Sequence, residues 1–258
     1  MQDLRVTIIQ TSLHWQDAAA NRAMFSEKLA AVAPATDLIV LPEMFTTGFS
    51  MDAAGLAEDA EGPTLQWMKE EAARYNAVIT GSVIVQEGEQ YFNRLYWVRP
   101  DGTYQHYNKR HLFRMAKEHH TYTPGQEKLL VELKGWKICP LVCYDLRFPV
   151  WSRNVGSEYD LLLYVANWPK PRANAWSILL QARAVENLSY VVGVNRVGTD
   201  GNGHPYSGDS AVIHPKGYKL LETAEVEGIH TITLNKKELT DFREAFPAHL
   251  DADDFTLS

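Results

Sequence analysis

A thiol, Cys143, stands at the end of the apolar run Ile138 to Val142 and is followed by Tyr144, Asp145, Leu146 and Arg147. The run reads as a buried strand, and the polar residues after it as the turn that leaves the strand. The carboxyl end of a buried strand in an α/β sheet is where active-site groups collect. A single buried Cys, taken alone, reads as a small core hydrophobe. Its company changes that reading: Glu43 in LPEMF, Lys109 in YNKRHLF, and Glu118 just beyond. Thiol chemistry on an amide needs a base or a positive field, because a free thiol with a pKa of about 8.5 is mostly protonated at neutral pH. It also needs donors for the tetrahedral oxyanion and a proton for the departing ammonia. A Glu, a Lys and a Cys in one pocket cover all three needs.

Each partner has a plainer reading in isolation. Glu43 follows Leu38 to Pro42 and so sits at a strand exit, where a solvated carboxylate is ordinary. In a partly apolar pocket the same carboxylate can act as a base toward Cys143. Lys109 lies in the basic stretch Asn108 to Lys117, with Arg110, Arg114 and Lys117, and reads alone as part of a solvated loop face. Glu118 and Glu127 flank the turn Thr123-Pro124-Gly125 and read as surface residues. The histidines His106, His111, His119 and His120 lack the spacing of a zinc site, so no metal is expected. No His neighbours Cys143 in sequence, which leaves a Cys–His pair open to the fold. The segment Gly201-Asn202-Gly203 is not a dinucleotide fingerprint, because Tyr206 occupies the third glycine position.

The elements that must position these groups alternate along the chain. Strands are expected at Arg5 to Gln10 and Asp37 to Leu41, and helices at Ala18 to Ala33 and Thr64 to Tyr75, the latter with Pro63 near its first turn. Val78 to Val85 and Tyr91 to Val98 read as an antiparallel pair around Gly88, followed by a turn at Pro100-Asp101-Gly102. Lys128 to Leu133, Trp136 to Val142, Leu161 to Ala166 and Tyr190 to Asn195 read as strands. Ala173 to Leu188 reads as a helix with Trp176, Leu179, Leu180, Ala184 and Leu188 on one face. Gly198 to Gly208 reads as a surface loop, Ala211 to Thr233 as the last strands, and Lys236 to Phe246 as a last helix. The pattern predicts one α/β domain over residues 1–258, with residues 247–258 an acidic tail on the surface or on a partner. The antiparallel pairs argue for two sheets packed face to face with helices outside.

Composition bounds the function. The 258 residues suffice for a sizeable core, and 45% are apolar, too many for a disordered chain. A formal charge of −7 argues against nucleic acid. The two cysteines, Cys139 and Cys143, lie about 13 Å apart on a strand, too far for a disulfide, so both are expected as free thiols in a reducing cytoplasm. No signal peptide or membrane helix is visible.

Taken together, LPEMF, YNKRHLF and CYDLRFP in this order resemble the nitrilase, or carbon–nitrogen hydrolase, superfamily, from about Val6 to Phe246. The stretches NKRHLFRMA, LVCYDLRFPVWSRN, LYVANWP and NRVGTDGNG look most like its YafV-type omega-amidases, small enzymes without appended domains. The resemblance implies a four-layer αββα sandwich that dimerises through helices and C-terminal segments. It implies Cys143 as nucleophile, Glu43 as general base, and Lys109 as oxyanion stabiliser and proton donor, with the backbone N–H of Tyr144 as second oxyanion donor. Glu118 matches the family's second glutamate, counted back from Pro124-Gly125, and Arg147 and Trp168 stand where relatives build the substrate pocket. The implied activity is hydrolysis of the terminal amide of a short dicarboxylic acid monoamide, such as 2-oxoglutaramate or 2-oxosuccinamate, through a cysteine thioester and without a cofactor. An N-carbamoyl amino acid hydrolase or a nitrilase is the alternative within the superfamily, and a non-catalytic interaction protein on the same scaffold the alternative outside it.

Overall fold

The computed structural model describes residues 2–32, 36–253 and 255. The first half of the chain builds one sheet from β1 (Leu4–Gln10), β2 (Leu38–Val40), β3 (Glu58–Asp59), β4 (Val78–Glu87), β5 (Gln90–Val98) and β6 (Tyr104–Asn108). The second sheet holds β7 (Val131–Leu133), β8 (Trp136–Val142), β9 (Leu161–Ala166), β10 (Tyr190–Asn195), β11 (Val197–Thr199), β12 (Pro205–Ile213) and β13 (Lys219–Ala224). The last strand, β14 (Gly228–Leu234), crosses back and pairs antiparallel with β1. The sheet orders are β14-β1-β2-β4-β5-β6, with β3 beside β4, and β11-β12-β10-β9-β8-β7, with β13 beside β12.

Strand alternation sorts the side chains into layers. Leu4, Val6, Ile8, Leu38, Val40, Val78, Leu95 and Trp97 face the second sheet and share its core. Their neighbours Ile9, Ile39, Leu41, Ile79, Tyr96 and Val98 face the opposite way, against the helices α1 (Ala18–Leu29) and α3 (Pro63–Tyr75). The short α2 (Ala53–Leu56) and α4 (Pro149–Ser152) sit in connections. On the far side of the second sheet, α5 (Ala173–Asn187) and α6 (Lys236–Ala245) place Trp176, Leu180, Ala184 and Leu239 in the core. At Gly193 on β10 a Cβ would come within 2.6 Å of Leu180, so glycine lets α5 lie close. The expected αββα sandwich is thus the observed architecture. Among the described residues no helix is long and apolar enough to cross a membrane.

Several expected boundaries shift. The first helix ends at Leu29 and closes in a turn, and Ala33 lies outside the described residues. Lys128 to Leu130 precede β7 instead of belonging to it. Gly198 to Gly208 is not a surface loop. It is a β-hairpin, β11–β12, whose tip alone, Asp200 to Gly203, has the expected turn chemistry, while Tyr206 and Ser207 are buried. Strand β6 gives no strand pattern in the polar run before Lys109, because it is an edge strand in which only Tyr107 is buried. Trp176 belongs to the inner face of α5: it is fully buried and its indole N–H donates to the Asp209 carbonyl at 2.8 Å. Of the acidic tail, the described residues from Ala248 are exposed or half-buried, and Asp254 and residues 256–258 lie outside the described set.

Candidate active site

Strands β8, β9 and β10 run parallel, with Val142 level with Val165 and Ala166 level with Asn195. Their carboxyl ends therefore open at one edge, and Cys143, Asn167 and Trp168 leave the sheet there. Across the interface, β1, β2 and β4 also run parallel, and β2 delivers Glu43 three residues past Val40. Lys109 follows β6 and is held to β5 by its N–H donating to the Asn93 carbonyl at 2.9 Å. The Pro124-Gly125 segment, which is irregular instead of the expected turn, supports it: the Gly125 N–H donates to the Lys109 carbonyl at 3.0 Å, and a Cβ on Gly125 would lie 2.0 Å from the Asn108 carbonyl oxygen.

The four residues singled out in the sequence converge. Glu43 and Glu118 are fully buried, Lys109 is 1% exposed and Cys143 8% exposed, so the solvated readings of both glutamates and of Lys109 fail. The Lys109 ammonium donates to Glu43 Oε1 at 2.8 Å and to both oxygens of Glu118 at 3.0 and 3.1 Å. Burial alone would lower the Lys109 pKa, but the two carboxylates outweigh it and raise it above 10.5, so the site holds a firm cation. Burial raises the Glu118 carboxyl, against the pull of Lys109 and with a further push from Glu43. Burial also drives the Cys143 thiol well above its usual range, and the Glu43 charge adds to the effect. The resting site therefore sets a protonated thiol beside a firm cation. Glu127, the other glutamate beside the Pro124-Gly125 segment, is exposed.

Three polar residues to which the sequence assigns no role hold this cluster. Asn93 donates its amide to Glu43 Oε1 at 2.8 Å and to Glu118 Oε1 at 3.4 Å. Asn167 donates its backbone N–H to Glu43 Oε2 at 2.8 Å and its side-chain amide to the Glu43 carbonyl. Asp145 accepts from the Val142 N–H and the Tyr107 hydroxyl on one oxygen, and on the other from the His111 N–H at 3.0 Å, with His111 Nδ1 also 2.8 Å from that oxygen. Asp145 thereby ties the Cys143 turn to the Lys109 loop. That turn is a single 3₁₀ segment, Cys143–Arg147, in which Cys143 takes a left-handed φ of 44°. A non-glycine residue there is uncommon and persists where surrounding contacts enforce it. Asn93 lies in QYFNRLYWV, Asn167 ends the apolar run LYVAN and Asp145 follows the thiol by two, and the partners of all three come from distant strands, so their roles appear only in the fold.

Cys143 and Lys109 open onto a cavity of about 350 Å³ walled by Phe49, Tyr144, Arg147 and Trp168. That volume suits a small molecule. Arg147 makes no ion pair with Asp145, whose oxygens are taken. Its guanidinium lies over the Trp168 ring, 4.9 Å from the centroid. Tyr144 is half-buried, and its ring packs edge-on against Phe113 and Phe148.

Comparison with known proteins agrees with this arrangement. The carbon-nitrogen hydrolase family model matches residues 5–244. The chain is 50% identical to the omega-amidase YafV of Escherichia coli strain K12, over the full length of both. It is 34% identical to a 2-oxoglutaramate amidase of Bacillus subtilis strain 168, over 82% of this chain and 83% of that one. The solved structure of XC1258 from Xanthomonas campestris, a CN-hydrolase superfamily protein with an arsenic adduct in its active site, superposes with a TM-score of 0.98 at 50% identity, covering both chains fully. With its sandwich of two sheets and its Glu–Lys–Glu–Cys cluster, this chain belongs to the carbon-nitrogen hydrolase family.

Proposed function

We propose that the protein is an omega-amidase that hydrolyses the terminal amide of short dicarboxylic acid monoamides, such as 2-oxoglutaramate or 2-oxosuccinamate, to the diacid and ammonia. The observation that carries this reading is the buried Glu43–Lys109–Glu118 cluster whose lysine lines one small cavity with Cys143, in a chain aligned end to end with an omega-amidase. Glu43 takes the thiol proton as Sγ attacks the amide carbon. The carbonyl electrons move to oxygen, where the Lys109 ammonium and the Tyr144 N–H receive the oxyanion. Collapse of this adduct breaks the C–N bond, and the proton held by Glu43 leaves with ammonia. Glu43 then takes a proton from water, whose hydroxide cleaves the thioester and returns the thiol. The raised pKa of Lys109 makes it a donor of hydrogen bonds rather than of a proton. Ammonia release measured across acid monoamides, N-carbamoyl amino acids and nitriles tests the assignment. Turnover confined to nitriles, or carbon dioxide released with the ammonia, would overturn it.

Arg147 is assigned the substrate's far carboxylate. A guanidinium offers two parallel donors to a carboxylate, and anchoring that end orients the amide on the thiol. Arg147→Ala is expected to lower kcat/KM for acid monoamides about 10- to 100-fold more than for neutral amides of equal length. Equal losses on both would show that Arg147 only braces the turn.

We also propose a homodimer in the cytoplasm, a compartment suited to two unpaired thiols. With Trp176 turned inward, the outer face of α5 still presents Ile178 and Val185, 56% and 50% exposed, and the C-terminal segment presents Phe246 and Leu250. Light scattering should give twice the 29.2 kDa chain mass at micromolar concentration, and Ile178→Asp with Val185→Asp should give the monomer. A monomer mass for the unaltered protein would refute the dimer.

A further inference from the structure

The cavity wall carries a second arginine besides Arg147. Arg172 closes the 3₁₀ turn Lys170–Arg172 that follows Pro169, and it lines the same cavity as Cys143 and Arg147. Its main chain is fixed twice. Its N–H donates to the Pro169 carbonyl at 2.9 Å, and its carbonyl accepts the Trp168 indole N–H at 2.8 Å. The guanidinium lies over the Phe113 ring, 5.3 Å from the centroid, as that of Arg147 lies over Trp168. An aromatic face under a guanidinium fixes its plane and leaves its N–H edge free.

Neither guanidinium has a carboxylate within ion-pair distance or donates a hydrogen bond among the described residues. By contrast Arg5, Arg22, Arg94, Arg153, Arg183 and Arg243 all have acid partners. No Asp or Glu lines the cavity. In a chain of net charge −7, two half-buried arginines, one guanidinium over Trp168 and the other over Phe113, line one cleft and are left without acids, and so form a local positive field inside it. Such a field is offset when an anion enters, and low-dielectric walls strengthen the attraction.

We propose that Arg172 is a second carboxylate-recognition residue, working with Arg147 so that two guanidinium forks hold the acid end of the substrate while its amide lies on Cys143. This rests on the omega-amidase reading above and adds the residue that makes a free carboxylate on the substrate decisive. Trp168 links the two arginines: its ring supports Arg147 and its N–H holds the backbone of Arg172. Arg172 acts on selection and not on the acyl chemistry, because Glu43, Lys109 and Glu118 are bound to one another and not to it.

The test compares glutaramate with pentanamide, two five-carbon amides that differ in the far carboxylate. The unaltered enzyme is expected to favour glutaramate strongly in kcat/KM. Arg172→Ala should lose about 10- to 100-fold on glutaramate, chiefly in KM, and no more than a few-fold on pentanamide. Arg172→Lys should recover part of the loss, since it restores the charge without the fork. If the unaltered enzyme favours glutaramate and Arg172→Ala keeps that preference, or loses both activities equally, the role of Arg172 is overturned while the amidase reading stands. If the unaltered enzyme shows no preference for glutaramate, both readings fall together.

Discussion

Cys143→Ala is expected to release no measurable ammonia from any acid monoamide, a fall of at least about 10⁴-fold, because no other group can form the thioester. The fold should survive. The change removes one sulfur at the cavity wall, and the melting temperature should move only as for a mild core truncation of about 1 kcal/mol. Cys139→Ala is the matched control. Cys139 lies inside β8, fully buried, and burial pushes its thiol up to about 12, so it is neither reachable nor ionised. That variant should keep most activity and lose only packing. Iodoacetamide followed by intact mass analysis should show a single adduct, on Cys143, with activity falling in step. Near-normal turnover by Cys143→Ala, or inactivation that tracks Cys139, would remove the thioester mechanism.

What the sequence made legible follows the range of each signal. Cys143 at the end of ICPLV and Glu43 at the end of LIVLP are local facts, a strand ending at a reactive group, and both stand where that pattern puts them. The pairing of β4 with β5 around Gly88 is local as well. Burial of Lys109 is not. A lysine among Arg110, Arg114 and Lys117 looks solvated until Glu43, 66 positions earlier, and Glu118 are seen to enclose it. The Gly198 to Gly208 segment misled for a related reason. Gly, Asn and Asp set the hairpin tip, whereas the strands on either side depend on pairing with β12 and β10 that composition does not encode. Asp145, two positions before Arg147, is the acid closest to that arginine in sequence. In the fold, a backbone N–H, a tyrosine hydroxyl and a histidine reach it first.

Glu43 and Lys109 are expected to fail as one unit. Glu43→Gln keeps the volume and removes the base, and should lower kcat about 10³-fold or more. Lys109→Met removes the cation that would meet the oxyanion, with a loss of the same order. It also leaves Glu43 and Glu118 buried without their shared partner, at a stability cost of about 3–5 kcal/mol. Activity must therefore be normalised to the folded fraction by circular dichroism. Because base and cation serve one transition state, the double variant should be little slower than the slower single. Lys109→Arg tests charge against shape. The ammonium lies 2.8 Å from one Glu43 oxygen and 3.0 and 3.1 Å from the two Glu118 oxygens, with the Phe49 ring centroid 5.2 Å from Nζ, and it also lines the cavity where the oxyanion would form. A guanidinium keeps the charge but is planar and wider, so it displaces one glutamate or the other. Lys109→Arg should then stay within about ten-fold of Lys109→Met. Two outcomes count against the shared site: losses that multiply in the double variant, and kcat restored by arginine. Either would mean that the ammonium at the centre of the cluster holds the fold together and takes no part in the reaction.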